Sequence, residues 1–113
     1  MHELSLIGSV LRIVEEQAVA ENFQRVISVC LGVGELSNVQ VEALVFCFGI
    51  ARRGSLTHNA RLCIQTIPGE AWCEKCKKSV HIALRTDACP CCGMWGLSVT
   101  DGDQITIREL EVE

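Results

Sequence analysis

The sequence lacks any hydrophobic run long enough to cross a membrane. Its longest uninterrupted apolar stretch, residues 43–51, is far shorter than the roughly twenty residues that a transmembrane helix needs. No lysine or arginine precedes Arg12, and Glu15 and Glu16 interrupt the segment that follows, so the N-terminus does not have the pattern of a secretory signal. We therefore expect a cytoplasmic protein with no membrane span.

Sequence signatures of the common enzyme classes are missing as well. The chain has no Gly-rich phosphate loop of the Walker or dinucleotide-binding kind, no Gly-x-Ser-x-Gly motif and no prominent pair of carboxylates. A surplus of positive charge is also absent, because the net charge is −4 and the excess acid lies near the C-terminus. Nucleic-acid binding normally requires the opposite balance. The charge balance therefore predicts a protein that does not bind nucleic acid, and no motif indicates one of these enzyme activities.

Cysteine, in contrast, is abundant, and four of the eight cysteines form a metal-binding pattern. Cys73 and Cys76 make one Cys-x-x-Cys pair, and Cys89 and Cys92 make a second pair shortly after it. Four thiolates at this spacing can surround one ion, and a tetrahedral sulfur site selects zinc or iron. We interpret the pattern as a structural zinc ribbon. Gly93, which follows the second pair, supplies a positive φ angle, and Lys77 occupies the corresponding position after the first pair.

The other four cysteines have simpler explanations. Cys30, Cys47 and Cys63 lie within apolar stretches, and in a reducing compartment we expect them to be small buried hydrophobic residues. Cys91 stands between two predicted ligands and is either a free thiol or an alternative ligand. Two adjacent cysteines are badly placed for an ordinary disulfide, so a redox function for Cys91 and Cys92 is the weaker hypothesis.

Hydrophobic periodicity predicts two helices and three strands outside the cysteine segment. Apolar residues with helical spacing predict a helix over about 3–20, and a second helix over about 39–52 follows a capping-box pattern at Ser37 and Gln40. β-Branched and apolar residues predict strands over about 24–34, 60–67 and 104–112. The last strand changes its apolar parity, and a β-bulge near Arg108 would place its four apolar residues on the core side; these are Ile105, Ile107, Leu110 and Val112.

These elements predict an α+β fold, in which a three-stranded antiparallel sheet packs with two helices and carries an inserted zinc-ribbon domain. We expect one domain to comprise residues 1–68 completed by the C-terminal strand 103–113, and the zinc ribbon to comprise residues 69–102. The ribbon is too small to bury a core of its own, so its metal must stabilise it.

Taken together, several short motifs resemble the HypA/HybF family of hydrogenase nickel-incorporation proteins. The resemblance extends from one end of the sequence to the other, and it rests on Met1-His2-Glu3-Leu4-Ser5, Gly-x-Gly-x-Leu-Ser at residues 32–37, Arg53-Gly54-Ser55, the cysteine frame, and Ile-x-x-Leu-Glu-Val-Glu at residues 107–113. The lysine at position 77, where the family usually has glycine, and the extra cysteine at position 91 depart from the family pattern.

The resemblance implies a nickel metallochaperone that acts in the maturation of [NiFe] hydrogenase. It implies nickel at His2 with Glu3 beside it, and structural zinc at the four cysteines of the frame. The implied partners are the maturation GTPase HypB and the hydrogenase large subunit. The oligomeric state does not follow from the resemblance, and a homodimer is one alternative. Which hydrogenase receives the ion, and whether urease is also served, does not follow from the resemblance.

The chemistry of the N-terminus is compatible with this role. Nickel of d⁸ configuration accepts square-planar nitrogen ligands, and the Met1 amine, the His2 amide and the His2 imidazole can close adjoining chelate rings. Glu3 can add an oxygen ligand or orient the site. Such a surface site competes with protons, so we expect acidification from about pH 7.5 to 6 to weaken nickel binding while sparing zinc. His81 could approach His2, although an exposed strand histidine is the simpler reading.

A zinc-ribbon adaptor that binds nucleic acid or a protein assembly is the alternative function. Its support is a small basic cluster on the ribbon, formed by Lys75, Lys77 and Lys78, which we interpret as a solvated face. The acidic balance of the chain disfavours this alternative, and salt-dependent binding to RNA or DNA would revive it.

Overall fold

A computed structural model describes residues 2–54 and 56–113. Two helices and six strands follow one another in this part of the chain. Their bounds are α1 His2–Glu21, β1 Val26–Gly34, α2 Val41–Ala51, β2 Arg61–Ile67, β3 Glu70–Cys73, β4 Lys78–His81, β5 Ser98–Asp101 and β6 Ile105–Val112. The predicted helices and strands outside the cysteine segment are therefore confirmed to within about two residues.

The strands form two three-stranded sheets, with the order β2-β1-β6 in one and β4-β3-β5 in the other. Backbone hydrogen bonds join Arg25 to Glu113 and Gly34 to Gln104, so β1 and β6 run antiparallel. At the carboxyl ends of β1 and β2, the Glu35 N–H donates to the Ile67 carbonyl. In the smaller sheet β3 pairs antiparallel with both β4 and β5. The predicted α+β class is confirmed, with two helices, antiparallel strand pairs and a separate cysteine-bearing sheet. Within the larger sheet, β1 and β2 run in the same direction, because their amino ends and their carboxyl ends lie together.

The chain divides into two compact units. The first contains residues 1–31, 39–64 and 107–113, and the second contains residues 32–38 and 65–106. The sequence predicted two metal-binding domains, one of residues 1–68 with 103–113 and the other of residues 69–102. This division stays a prediction.

The core of the first unit is built from one face of each helix and from the central strand. Helix α1 buries a stripe at intervals of three and four residues, as the periodicity predicts. Helix α2 packs against α1 and buries its own apolar face. The buried members are Ile7, Val10, Leu11, Val14 and Ala18 of α1, Leu44, Cys47 and Phe48 of α2, and Val26, Val29 and Leu31 of β1.

Two details of the sequence prediction are wrong. The cap of α2 is Gln40, which makes no side-chain capping bond, and the Ser37 hydroxyl donates instead to the Gly34 carbonyl at 2.7 Å. The predicted capping box therefore does not form. In β6 Ile105, Ile107 and Leu110 are partly buried, but Val112, which was expected to be buried with them, is 39% exposed.

No described helix combines the length and the apolar character that crossing a bilayer demands.

Candidate metal centre

Four cysteine sulfurs converge in the second unit. Cys73 ends β3 and Cys76 lies in the turn after it, while Cys89 and Cys92 belong to the loop before β5. Their Sγ atoms all lie within 4.8 Å of one another. The Cys73–Cys92 and Cys76–Cys89 sulfur pairs are 3.6 and 3.9 Å apart. Neighbouring sulfurs in a tetrahedral zinc site with Zn–S bonds of about 2.3 Å lie about 3.8 Å apart, so the four thiols fit such an ion.

The backbone turns in the same way after each Cys-x-x-Cys pair. The Lys77 N–H donates to the Cys73 carbonyl at 2.8 Å, and the Gly93 N–H donates to the Cys89 carbonyl at 2.8 Å. Gly93 has a φ angle of 77°, as predicted, and Lys77 adopts 55° although it has a side chain. The two loops are therefore equivalent in geometry but not in conformational cost, because only glycine adopts positive φ freely.

Each loop also directs a backbone N–H at a sulfur. The Cys76 N–H lies 3.5 Å from the Cys73 Sγ, and the Cys91 N–H lies 3.4 Å from the Cys89 Sγ. Donors of this kind stabilise a thiolate more than a thiol. The backbone therefore favours negative charge on these two sulfurs, which binding of a cation requires.

The electrostatics of the sulfur group are uneven. Hydrogen bonding from the Cys92 backbone lowers the pKa of Cys89 to about 6, with the Cys91 backbone contributing in the same direction. The pKa of Cys76 rises to about 12, chiefly through its hydrogen bond with the Cys92 thiol and through burial. A metal cation that binds all four sulfurs must displace the protons that the thiols carry.

The apolar residues around the sulfurs form only a small core. Cys73 is fully buried, and Cys89 is 3% exposed. Around them pack Leu36, Ala71, Val80 and Ile82. A cluster of this size supplies little hydrophobic stabilisation by itself. A bound metal is therefore the natural stabiliser of this unit.

Cys91 lies outside the four-sulfur group. Its side chain is exposed, and the structure records it as a free cysteine. A hydrogen bond with Cys91 raises the pKa of Lys78. Of the two alternatives that the sequence leaves open for Cys91, this arrangement favours the free thiol.

At the other predicted site, His2 and Glu3 occupy the first turn of α1. The His2 side chain is exposed, and that of Glu3 is partly buried. A Glu3 carboxylate oxygen lies 3.4 Å from the Gln40 backbone N–H at the start of α2. The predicted contribution of the Met1 amine falls outside the described residues. The assignment of nickel to this turn stays a prediction.

His81 has a partner that the sequence did not reveal. Its Nε2 lies 2.8 Å from the Glu35 Oε1, and the Gly69 N–H donates to the same carboxylate at 3.0 Å. The Gly69 hydrogen bond first, and then His81, lower the pKa of Glu35. No motif singles out Glu35 in the sequence, because its role depends on residues 34 and 46 positions away.

Cys63 contradicts the expectation of a buried hydrophobic cysteine. Cys47 is buried as predicted, but Cys30 is only half-buried and Cys63 is exposed. Successive side chains of a strand point to opposite faces of the sheet, and in β2 Leu62 and Ile64 are partly buried while Cys63 lies on the opposite, exposed face. The apolar neighbours of Cys63 in the sequence therefore did not predict its environment.

Comparisons of the sequence and the structure with known proteins agree on one family. A family model described as "Hydrogenase/urease nickel incorporation, metallochaperone, hypA" matches residues 1–112. Proteins named hydrogenase maturation factor HypA from Azotobacter chroococcum mcd 1 and Azotobacter vinelandii are each 50% identical over 113 residues, covering 100% of both chains. Hydrogenase maturation factor HypA 1 from Bradyrhizobium diazoefficiens is 44% identical with the same coverage.

Solved structures agree with the sequence comparisons. The solution structure of the Ni metallochaperone HypA from Helicobacter pylori matches with a TM-score of 0.76 at 27% identity. That match covers 97% of this chain and 96% of the other. The resemblance inferred from the sequence motifs is thereby confirmed. The chain belongs to the HypA family of hydrogenase maturation metallochaperones, a family of metal carriers and not of enzymes.

Proposed function

We propose that this protein carries Ni²⁺ to [NiFe] hydrogenase during its maturation and holds a structural Zn²⁺ in the four-cysteine site. The observation that carries the proposal is the match to the nickel-incorporation family along residues 1–112. A match of this length includes both the first turn of α1 and the cysteine frame. The two metals have distinct tasks, since one is cargo and the other holds the fold.

The donor set supports zinc as the resident metal of the cysteine site. Four sulfurs with tetrahedral spacing leave no open coordination position for a substrate, which is typical of structural zinc. Cys73, Cys76, Cys89 and Cys92 would be the ligands. Zinc supplies there a redox-inert cross-link between the two Cys-x-x-Cys loops.

The first turn of α1 supports His2 as the nickel ligand. The His2 imidazole is exposed, and N–H groups in the first turn of a helix have no intrahelical acceptor. An amide nitrogen there can bind metal without breaking a helical hydrogen bond. Glu3 lies beside His2, where its carboxylate accepts from the Gln40 N–H and can orient the site. An exposed site of few ligands releases its ion readily, as a carrier requires.

Delivery requires partners, and the family's role in hydrogenase maturation supports two of them. We assign these as the maturation GTPase HypB, which would time the transfer, and the hydrogenase large subunit, which would receive the ion. We place the process in the cytoplasm, and a homodimer is the form to test first by light scattering. The family description also includes urease, so the receiving enzyme is to be tested with both apoproteins.

The decisive experiment measures bound nickel and zinc per chain in the wild type, in His2→Ala and in a form with extra residues before Met1. Both changes should abolish nickel binding and leave zinc near one per chain. The extended form tests whether the Met1 amine takes part. His58→Ala is the matched control, because His58 is another exposed imidazole and lies outside the proposed site.

Nickel bound by His2→Ala with wild-type affinity would refute the site assignment. Equal nickel loss in His58→Ala would show a general effect of imidazole content. A chain that binds nickel at His2 but cannot activate an apo-hydrogenase in the presence of the GTPase would retain the site and overturn the delivery function.

A further inference from the structure

We propose that Cys30 and Cys63 form a cross-strand dithiol that converts to a disulfide by exchange with a low-molecular-weight disulfide such as oxidised glutathione. Cys30 lies on β1 and Cys63 on β2, which are neighbours in the larger sheet. Their Sγ atoms are 3.0 Å apart. Neither cysteine belongs to the four-sulfur group, so this dithiol is separate from the metal centre.

The distance between the two sulfurs makes the bond accessible. A disulfide has an S–S distance of about 2.05 Å, so the sulfurs need to approach by about 1 Å. The two side chains already point at each other closely enough for the Cys30 thiol to donate to the Cys63 sulfur. Side-chain rotation can supply that approach while the hydrogen-bonded strands hold the backbone in place.

Exposure gives the two thiols different tasks. Cys63 is exposed on the edge strand, whereas Cys30 is half-buried on the central strand. A small dissolved disulfide therefore reaches Cys63 first. The hydrogen bond with Cys63 and partial burial raise the pKa of Cys30, so a smaller fraction of that thiol is in the reactive thiolate form. Cys63 is accordingly the attacking residue and Cys30 the resolving residue.

The exchange proceeds in two balanced steps. The Cys63 thiolate attacks one sulfur of the small disulfide, whose S–S bond breaks and releases one thiolate. Cys30 then gives up its proton and attacks the Cys63 sulfur, which breaks the mixed disulfide and releases the second small thiol. Two protein thiols are oxidised, and one disulfide is reduced to two thiols. Such disulfides in reducing compartments are usually transient and redox-sensing.

The test treats the reduced, zinc-loaded full chain with oxidised glutathione and then traps the remaining thiols with N-ethylmaleimide. Peptide mapping of the wild type should find Cys30 linked to Cys63 and no lasting glutathione adduct. The intact mass, measured before trapping, should be lower by two hydrogen atoms. In Cys30→Ser the adduct should accumulate on Cys63. In Cys63→Ser modification of Cys30 should be at least about tenfold slower, because the accessible thiol is gone.

Cys91→Ser is the matched control, because Cys91 is another exposed free thiol and should not alter the Cys30–Cys63 link. Zinc retention is measured in every sample so that cysteines of the metal centre are excluded as the source of oxidation. A lasting glutathione adduct on Cys63 of the wild type, or links made only by other cysteines, would overturn the proposal. Should either serine variant fail to fold, the wild-type peptide map alone decides.

Discussion

The four-sulfur centre and the first turn of α1 differ in how completely the fold constructs them. At the centre, four side chains from two loops meet, and two of the sulfurs belong to buried residues. Backbone bonds of 2.8 Å close both loops. At the first turn of α1 the His2 side chain is exposed, and the Glu3 carboxylate makes a long contact of 3.4 Å with the Gln40 N–H.

This difference corresponds to the two tasks that we propose. A metal enclosed by four thiolates exchanges slowly, because each ligand must leave against the constraint of a closed loop. A metal held at an exposed helix start can change ligands one at a time as an acceptor protein approaches. In our proposal, ligand number and burial would distinguish the ion that stays from the ion that moves.

The largest effect should come from opening the sulfur centre with Cys73→Ala. Structural zinc contributes about 10–16 kcal/mol to zinc-finger peptides, which is as large as the whole stability of a typical domain. We expect zinc to be lost and residues 65–106 to unfold. Metal analysis and amide hydrogen exchange of that segment measure both effects.

The matched control for this change is Cys91→Ala, which also removes one thiol but lies outside the four-sulfur group. It should retain zinc and leave hydrogen exchange unchanged. Slow exchange in the segment of zinc-free Cys73→Ala would contradict the dependence of this unit on its metal.

A smaller effect should follow from acidification between about pH 7.5 and 6. Amine and imidazole nitrogens take up protons over this range, and a protonated nitrogen cannot bind nickel. Nickel affinity should therefore fall as pH falls, by about tenfold or more, while zinc remains bound. Isothermal titration with nickel at several pH values, with parallel zinc analysis, measures the difference. Parallel loss of the two metals would contradict a separation into one labile and one retained site.

Local patterns predicted much of the structure. The spacing of apolar residues defined α1, whose predicted range 3–20 is observed as His2–Glu21, because helical periodicity depends only on near neighbours. The two Cys-x-x-Cys pairs were also sufficient to predict that four sulfurs converge, since the spacing of the pairs encodes the site. The φ angle at Gly93 followed from the same local pattern.

Features that depend on distant residues were not predictable from the sequence. The Ser37 hydroxyl donates to the Gly34 carbonyl and does not cap α2, so the capping-box pattern in the sequence did not predict the start of the helix. The Glu35 carboxylate contacts Gly69 and His81, which are distant in the sequence and become its neighbours only in the folded chain. The exposure of Cys63 follows from the face of β2 on which it lies, opposite Leu62 and Ile64, and a continuous apolar run does not specify which face is covered.

The smallest effect should come from Lys77→Gly, which makes the two cysteine loops alike. Lys77 has a φ angle of 55°, and a side chain in this left-handed region costs about 1–2 kcal/mol. The substitution also removes the exposed Lys77–Glu74 ion pair of 3.2 Å, worth about 0–1 kcal/mol, and makes the unfolded chain more flexible. We expect a net gain of about 0.5–1 kcal/mol, seen as zinc binding that is about two- to fivefold tighter in competition with a chelator.

Two variants distinguish the backbone from the ion pair as the cause. Gly93→Ala places a side chain at a φ angle of 77° where no atom lies within 4 Å of the added carbon, so it should weaken zinc binding through backbone conformation alone. Glu74→Gln removes the ion pair and leaves the backbone unchanged. Weaker zinc binding in both Lys77→Gly and Glu74→Gln would show that the ion pair outweighs the cost of positive φ. The lysine would then stabilise its loop in spite of the backbone conformation that it has to adopt.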